Sequence, residues 1–134
     1  MRAVGTFEVT MNPDPLYEGL EGGIVLGRLS LTKQFKGDLE GSSIVQMLSA
    51  GTSVKGSAGY VAIERVTGTL AGRKGTFALQ HWGMMDNGTP DLKISVIPDS
   101  GTGELAGLSG TMTIDIQPGG KHFYVFTYTL PATK

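Results

Sequence analysis

No cysteine occurs in these 134 residues, which excludes disulfides, thiolate metal sites and thiol nucleophiles and leaves the redox compartment open. Surplus positive charge is also missing. Eleven basic against twelve acidic side chains give a formal charge of -1, so the chain has no excess cation to neutralise phosphates and nucleic acid is not an expected partner. Long hydrophobic runs are absent. No stretch approaches the roughly 18 apolar residues of a membrane helix, and the opening Met1–Thr10 has no long apolar core of a signal peptide. The expectation is a cytoplasmic protein without a membrane partner. Helix signals are scarce as well, because Gly and β-branched residues interrupt every apolar stripe of helical period.

What is present is glycine, at 21 residues with 40% hydrophobic content. That is about twice the ordinary glycine share, yet no G-X-Y period exists and the apolar content suffices for a core. The length suits a single domain over residues 1–134. Alternation between glycine-rich turns predicts eight strands, at Ala3–Thr10, Leu26–Lys36, Ser43–Ala50, Ala58–Thr69, Gly75–Met84, Leu92–Ile97, Thr111–Gln117 and Lys121–Leu130. The motif G-x-L-x-G recurs at Gly37–Gly41, Gly68–Gly72 and Gly103–Gly107. Its spacing covers two strands and two turns, so each copy reads as a hairpin corner where glycine permits positive φ or close backbone approach. Asn87-Gly-Thr89 matches a glycosylation sequon but reads more simply as a hairpin turn. Asn12–Gly23, with Pro13 and Pro15, is expected to form a loop across one mouth.

Eight antiparallel strands favour an all-β closed barrel with little or no helix, since closure removes aggregation-prone edges. A barrel of this size either fills with side chains or holds one small ligand. Alternation assigns the inward faces. His122, Tyr124, Phe126 and Tyr128 share one face of the last strand and Phe77, Leu79 and His81 one face of the fifth, while the fourth is ambiguous, with either Tyr60, Ala62 and Glu64 or Val61 and Ile63 as the core face. An acid, two imidazoles and three phenols exceed what packing needs, so they form a closed network or serve a ligand. Glu64 is the candidate general acid/base, His81 an orienting or relaying group, and Tyr124 a donor to developing negative charge. Tyr60, Gln46, Phe77, Leu79, Trp82, Met84, His122, Phe126 and Tyr128 are the expected ligand contacts. His81, His122 and Glu64 have the ligand types of a two-His-one-carboxylate site, but their spacing is a weak signal and no metal or other cofactor is expected. Phe123, Val125, Val61 and Ile63 lie on the opposite faces and suggest a homo-oligomer contact.

The run Lys55–Glu64, with Gly68–Phe77, Leu79-Gln-His81, Asp99–Gly107 and the closing His122-x-Tyr124-x-x-x-Tyr128-x-Leu130, resembles an uncharacterised bacterial domain-of-unknown-function family. The resemblance spans nearly the whole chain and implies an allene-oxide-cyclase-like β-barrel. Allene oxide cyclases use such a barrel as a mostly apolar cup for a reactive lipid, and this is an analogy of fold alone. By motif position it picks out Tyr60, Glu64, Gln80, His81, His122, Tyr124 and Tyr128. Gln46 departs from the family pattern, which favours an acid there, and Trp82 with Met84 replaces smaller or polar residues, so a more apolar pocket is implied. Three functions fit: a barrel holding a small apolar or aromatic molecule, a cofactor-free isomerase, cyclase or lyase acting through Glu64, and a structural oligomer with a filled core.

Overall fold

The computed structural model describes residues 1–13 and 23–131. Eight strands run β1 Arg2–Pro13, β2 Val25–Gly37, β3 Leu39–Gly51, β4 Ala58–Leu70, β5 Arg73–Asp86, β6 Thr89–Val96, β7 Ser109–Ile116 and β8 His122–Thr129. Each pairs antiparallel with its neighbours in sequence, and β1 closes the barrel against β8 through Arg2↔Thr127 to Phe7↔His122. A 3-10 turn over Gly103–Leu105 interrupts the β6–β7 connection. No helix among the described residues is long and apolar enough to cross a membrane. The loop expected over Asn12–Gly23 starts later than the sequence suggests, because Asn12 and Pro13 still pair with Ser30 and Leu29. The rest of it, residues 14–22, lies outside the described residues.

Strand alternation sets what fills the barrel. On β4, Ala62, Glu64 and Val66 are buried while Val61, Ile63 and Arg65 are exposed, so the ambiguity between Val61/Ile63 and the opposite face resolves with Glu64 inside. On β5, Phe77, Leu79 and His81 are buried and Trp82 and Met84 exposed. The Asn87-Gly88 pair, with φ 48° and 88°, makes the β5–β6 turn. Both residues then have the positive φ of a tight hairpin connection.

One end of the barrel is solid. The repeated leucines Leu39, Leu70 and Leu105 are fully buried there, beneath the β2–β3, β4–β5 and β6–β7 connections. The motif's glycines let backbones come close: Gly41 pairs with Gly68, and a Cβ on Gly41 would collide with the Thr67 carbonyl oxygen. Phe77 stacks on Phe126 at 5.8 Å between ring centroids, and Phe126 on Tyr128 at 5.3 Å. Burying such rings is the largest single contribution to a small core. A second, smaller cluster of Leu31, Val45 and Ala62 lies toward the other end, where the packing stops short of filling the lumen.

Candidate functional site

Four consecutive strands place one side chain each in a buried polar cluster at the level where the solid core ends. Lys33 on β2 is paired directly with Ser43 on β3, Glu64 on β4 lies opposite Val45 and Leu79, and His81 on β5 lies opposite Ala62. Glu64 therefore meets Ser43 and His81 along the diagonals of the sheet, within reach of long side chains. Its carboxylate is the hub. Lys33 Nζ donates to Oε1 at 3.2 Å, His81 Nε2 approaches the same oxygen at 2.7 Å, and Ser43 Oγ donates to Oε2 at 2.6 Å.

Glu64 is 0% exposed, His81 4% and Lys33 6%. Burial alone would raise the Glu64 pKa, but the His81 hydrogen bond, the Lys33 charge and the Ser43 hydrogen bond outweigh it and hold it below the ordinary carboxylate value. Glu64 is thus a carboxylate at neutral pH. A carboxylate only accepts, which assigns a His81 proton to Nε2 and leaves Nδ1 as the ring nitrogen not engaged by Glu64. Lys33 also rests 4.8 Å above the centre of the Phe7 ring and 5.9 Å from that of Phe35, contacts that favour a desolvated cation.

Above this floor is a hollow of about 180 Å³. Its walls are apolar, among them Val9, Leu31, Met47, Leu92 and Ile114, with Lys33, Tyr60, His81 and His122 as the polar lining. Burial raises the Tyr60 phenol pKa, so the group stays protonated at neutral pH. His122 packs its ring 5.0 Å from that of Phe7.

The expected site residues divide sharply. Tyr60, His81 and His122 line the hollow. Glu64 does not, and its carboxylate meets the hollow only through Lys33 and His81, which do line it. Tyr124 is not part of this site. Its hydroxyl accepts from the Leu39 N–H at 2.9 Å and faces the carbonyls of Lys36 at 3.1 Å and Leu39 at 3.2 Å, so it braces the β2–β3 turn at the closed end. Burial, with Asp38 and Glu40 nearby, raises its pKa against the opposing Leu39 hydrogen bond and keeps it neutral. Phe77, Leu79, Phe126 and Tyr128 belong to the solid core rather than to a ligand surface. Gln46, Trp82 and Met84 are on the outer wall. Alternation requires this, because Val45 and His81 point inward and their neighbours must point out. The more apolar pocket that the resemblance implied from these three residues is therefore not formed by them, since none faces the lumen. Gln46 instead borders an outer depression of about 620 Å³ with Arg28, Leu48, Val61, Ile63 and Gln80.

Lys33 and Ser43 are the residues that sequence reasoning missed. The signal existed, since Lys33 alternates with the inward-facing Leu31 and Phe35. Among the described residues no three His, Cys, Asp or Glu side chains are grouped to hold a metal ion.

A closed eight-stranded barrel, solid at one end and hollow above a buried ionic floor, defines a class of small cup-like domains. Within it, the chain belongs to the DUF3224 family of proteins of unknown function, whose profile matches residues 3–128. It is similar to the crystal structure of a protein of unknown function from the DUF3224 family of Shewanella oneidensis MR-1. The identity is 49% over 98% of both chains, with a TM-score of 0.92. No curated protein matches the chain.

Proposed function

We propose that the barrel binds one compact apolar or aromatic molecule in the hollow above Lys33 and His81. The ionic floor carries this reading. Replacing a buried ion pair by packed apolar side chains is often neutral or stabilising by about 1–4 kcal/mol. A chain that packs Phe77, Phe126 and Tyr128 into one end has no need of a Lys–Glu–His cluster for stability at the other. The volume agrees, since a dry cavity of about 150 Å³ takes up a benzene-sized ring, and the hollow is slightly larger. Titration of ¹⁵N-labelled protein with single-ring compounds is expected to shift the amide signals of Tyr60, His81 and His122. Unmoved signals with every compound up to millimolar concentration would end the proposal.

A second reading is cofactor-free proton transfer, as in an isomerase, cyclase or lyase. The Glu64–His81 hydrogen bond favours it, because an orienting carboxylate behind an imidazole fixes the tautomer and leaves Nδ1 to accept a proton. In this version His81 is the base and Glu64 positions it. The expected result is a loss of about a hundredfold or more in turnover for His81→Gln with binding retained.

Self-association is the third part of the proposal. Leu48 pairs with Val61 and Val61 with Trp82 in register, and their side chains, with Ile63 and Met84, form an exposed apolar stripe across β3–β5. Contiguous stripes of this kind mark contacts between proteins, and a second copy of the chain is the proposed occupant.

A further inference from the structure

The polar groups lining the hollow are unequal in what they offer a ligand, and that asymmetry selects a head group. Lys33 carries three N–H donors and no acceptor, and among the described residues Glu64 is its only hydrogen-bond partner. Tyr60 keeps its proton and its hydroxyl makes no hydrogen bond to another described residue, so its O–H is available as a donor. His81 has its Nε2 proton committed to Glu64. No carboxylate from the described residues lines the hollow. Lys33 and Tyr60 therefore favour a molecule that brings an acceptor, and the His81 and His122 rings are the other polar groups it meets.

Charge narrows the choice. Lys33 and Glu64 cancel one another at 3.2 Å, so the floor is neutral as a unit. A carboxylate ligand would add an uncompensated negative charge between apolar walls, and an amine would face the Lys33 ammonium. Both cost several times more than a neutral acceptor. A ketone, ester or amide oxygen has two lone pairs and adds no charge.

Resting on the reading of the hollow as a binding site, we infer that its ligand is a neutral carbonyl compound on a single apolar ring or a chain of like bulk. The carbonyl oxygen accepts from Lys33 Nζ and the Tyr60 hydroxyl, and the apolar body lies against Leu31, Met47, Leu92 and Ile114. The size follows from the hollow's volume of about 180 Å³.

Three probes of nearly one shape separate the possibilities: acetophenone, ethylbenzene and benzoate. Isothermal or NMR titration of the full chain is expected to give acetophenone an affinity about tenfold or more above the other two, the effect of a hydrogen bond to a charged donor. Tyr60→Phe, which leaves the ionic cluster intact, is expected to reduce that preference severalfold. Equal affinities for acetophenone and ethylbenzene, or tighter binding of benzoate, would overturn the carbonyl assignment and leave the binding site standing. Failure of all three probes to bind would remove the binding site itself, and the carbonyl assignment with it.

Discussion

Glu64 Oε1 lies 2.7 Å from His81 Nε2, a diagonal contact between β4 and β5 made inside a closed barrel where neither residue is more than 4% exposed. The contact ties together what the strands position and what the hollow presents: a carboxylate on the inner side holds an imidazole whose ring forms part of the cavity wall. Everything proposed for the lumen depends on this pair and on Lys33 beside it.

The cluster should be costly to break and cheap to replace. Lys33→Met leaves the Glu64 carboxylate buried without its cation, and a loss of about 3–5 kcal/mol is expected from urea unfolding. The double variant Lys33→Met/Glu64→Leu removes both charges and should recover most of that loss. A double variant as unstable as the single one would mean that the pair holds the barrel together rather than serving the hollow.

Acid should weaken the fold through the same carboxylate. The Glu64 pKa is lower in the folded chain than its ordinary value, so its contribution to stability is fully present above the unfolded-state pKa of about 4.3. It is lost as pH falls through the lower, folded value. Urea midpoints should therefore decline between about pH 5 and pH 3, and Glu64→Gln should flatten the decline. An identical slope in the variant would contradict the assigned direction.

Tyr124 separates structure from chemistry. Tyr124→Phe deletes the hydroxyl that satisfies the Leu39 N–H, which is expected to cost about 1–3 kcal/mol in stability. Ligand affinity should not change, because Tyr124 lies in the solid end. A weakened ligand with unchanged stability would return Tyr124 to the site.

The outer stripe gives a test of assembly. Val61→Glu or Leu48→Glu introduces a charge at the centre of the exposed apolar face and should convert an oligomer to a 14.1 kDa monomer in sedimentation equilibrium. Wild-type protein that is already monomeric at micromolar concentration would contradict the stripe's role.

Much of the architecture was legible because two signals agreed. Period-two alternation placed all eight strands and put Glu64, His81, Phe77 and Tyr124 inside, and G-x-L-x-G marked three reversals on one end of the barrel. Boundaries were less legible: Leu39-Glu-Gly41 reads as turn, yet it is already in β3, because Gly41 fits against Gly68. The site itself was only half visible. Alternation tells which side chains point inward but not their height along the axis, and height decides function here. Tyr124 and His81 face the same lumen, one braced in the plug and the other walling the hollow. Lys33 is not legible because a cation amid apolar residues reads as an exposed charge until its partner two strands away is known. Trp82 and Met84 read as ligand contacts by size, although their odd offsets from inward-facing His81 place them outside.

The most direct test is a methyl NMR titration with acetophenone, using methionines on the two sides of one wall. Met47 lines the hollow and Met84 is on the outer face. The account predicts a saturable ring-current shift of the Met47 methyl signal with Met84 unmoved. A shift confined to Met84, or none at Met47 at saturating ligand, would contradict it.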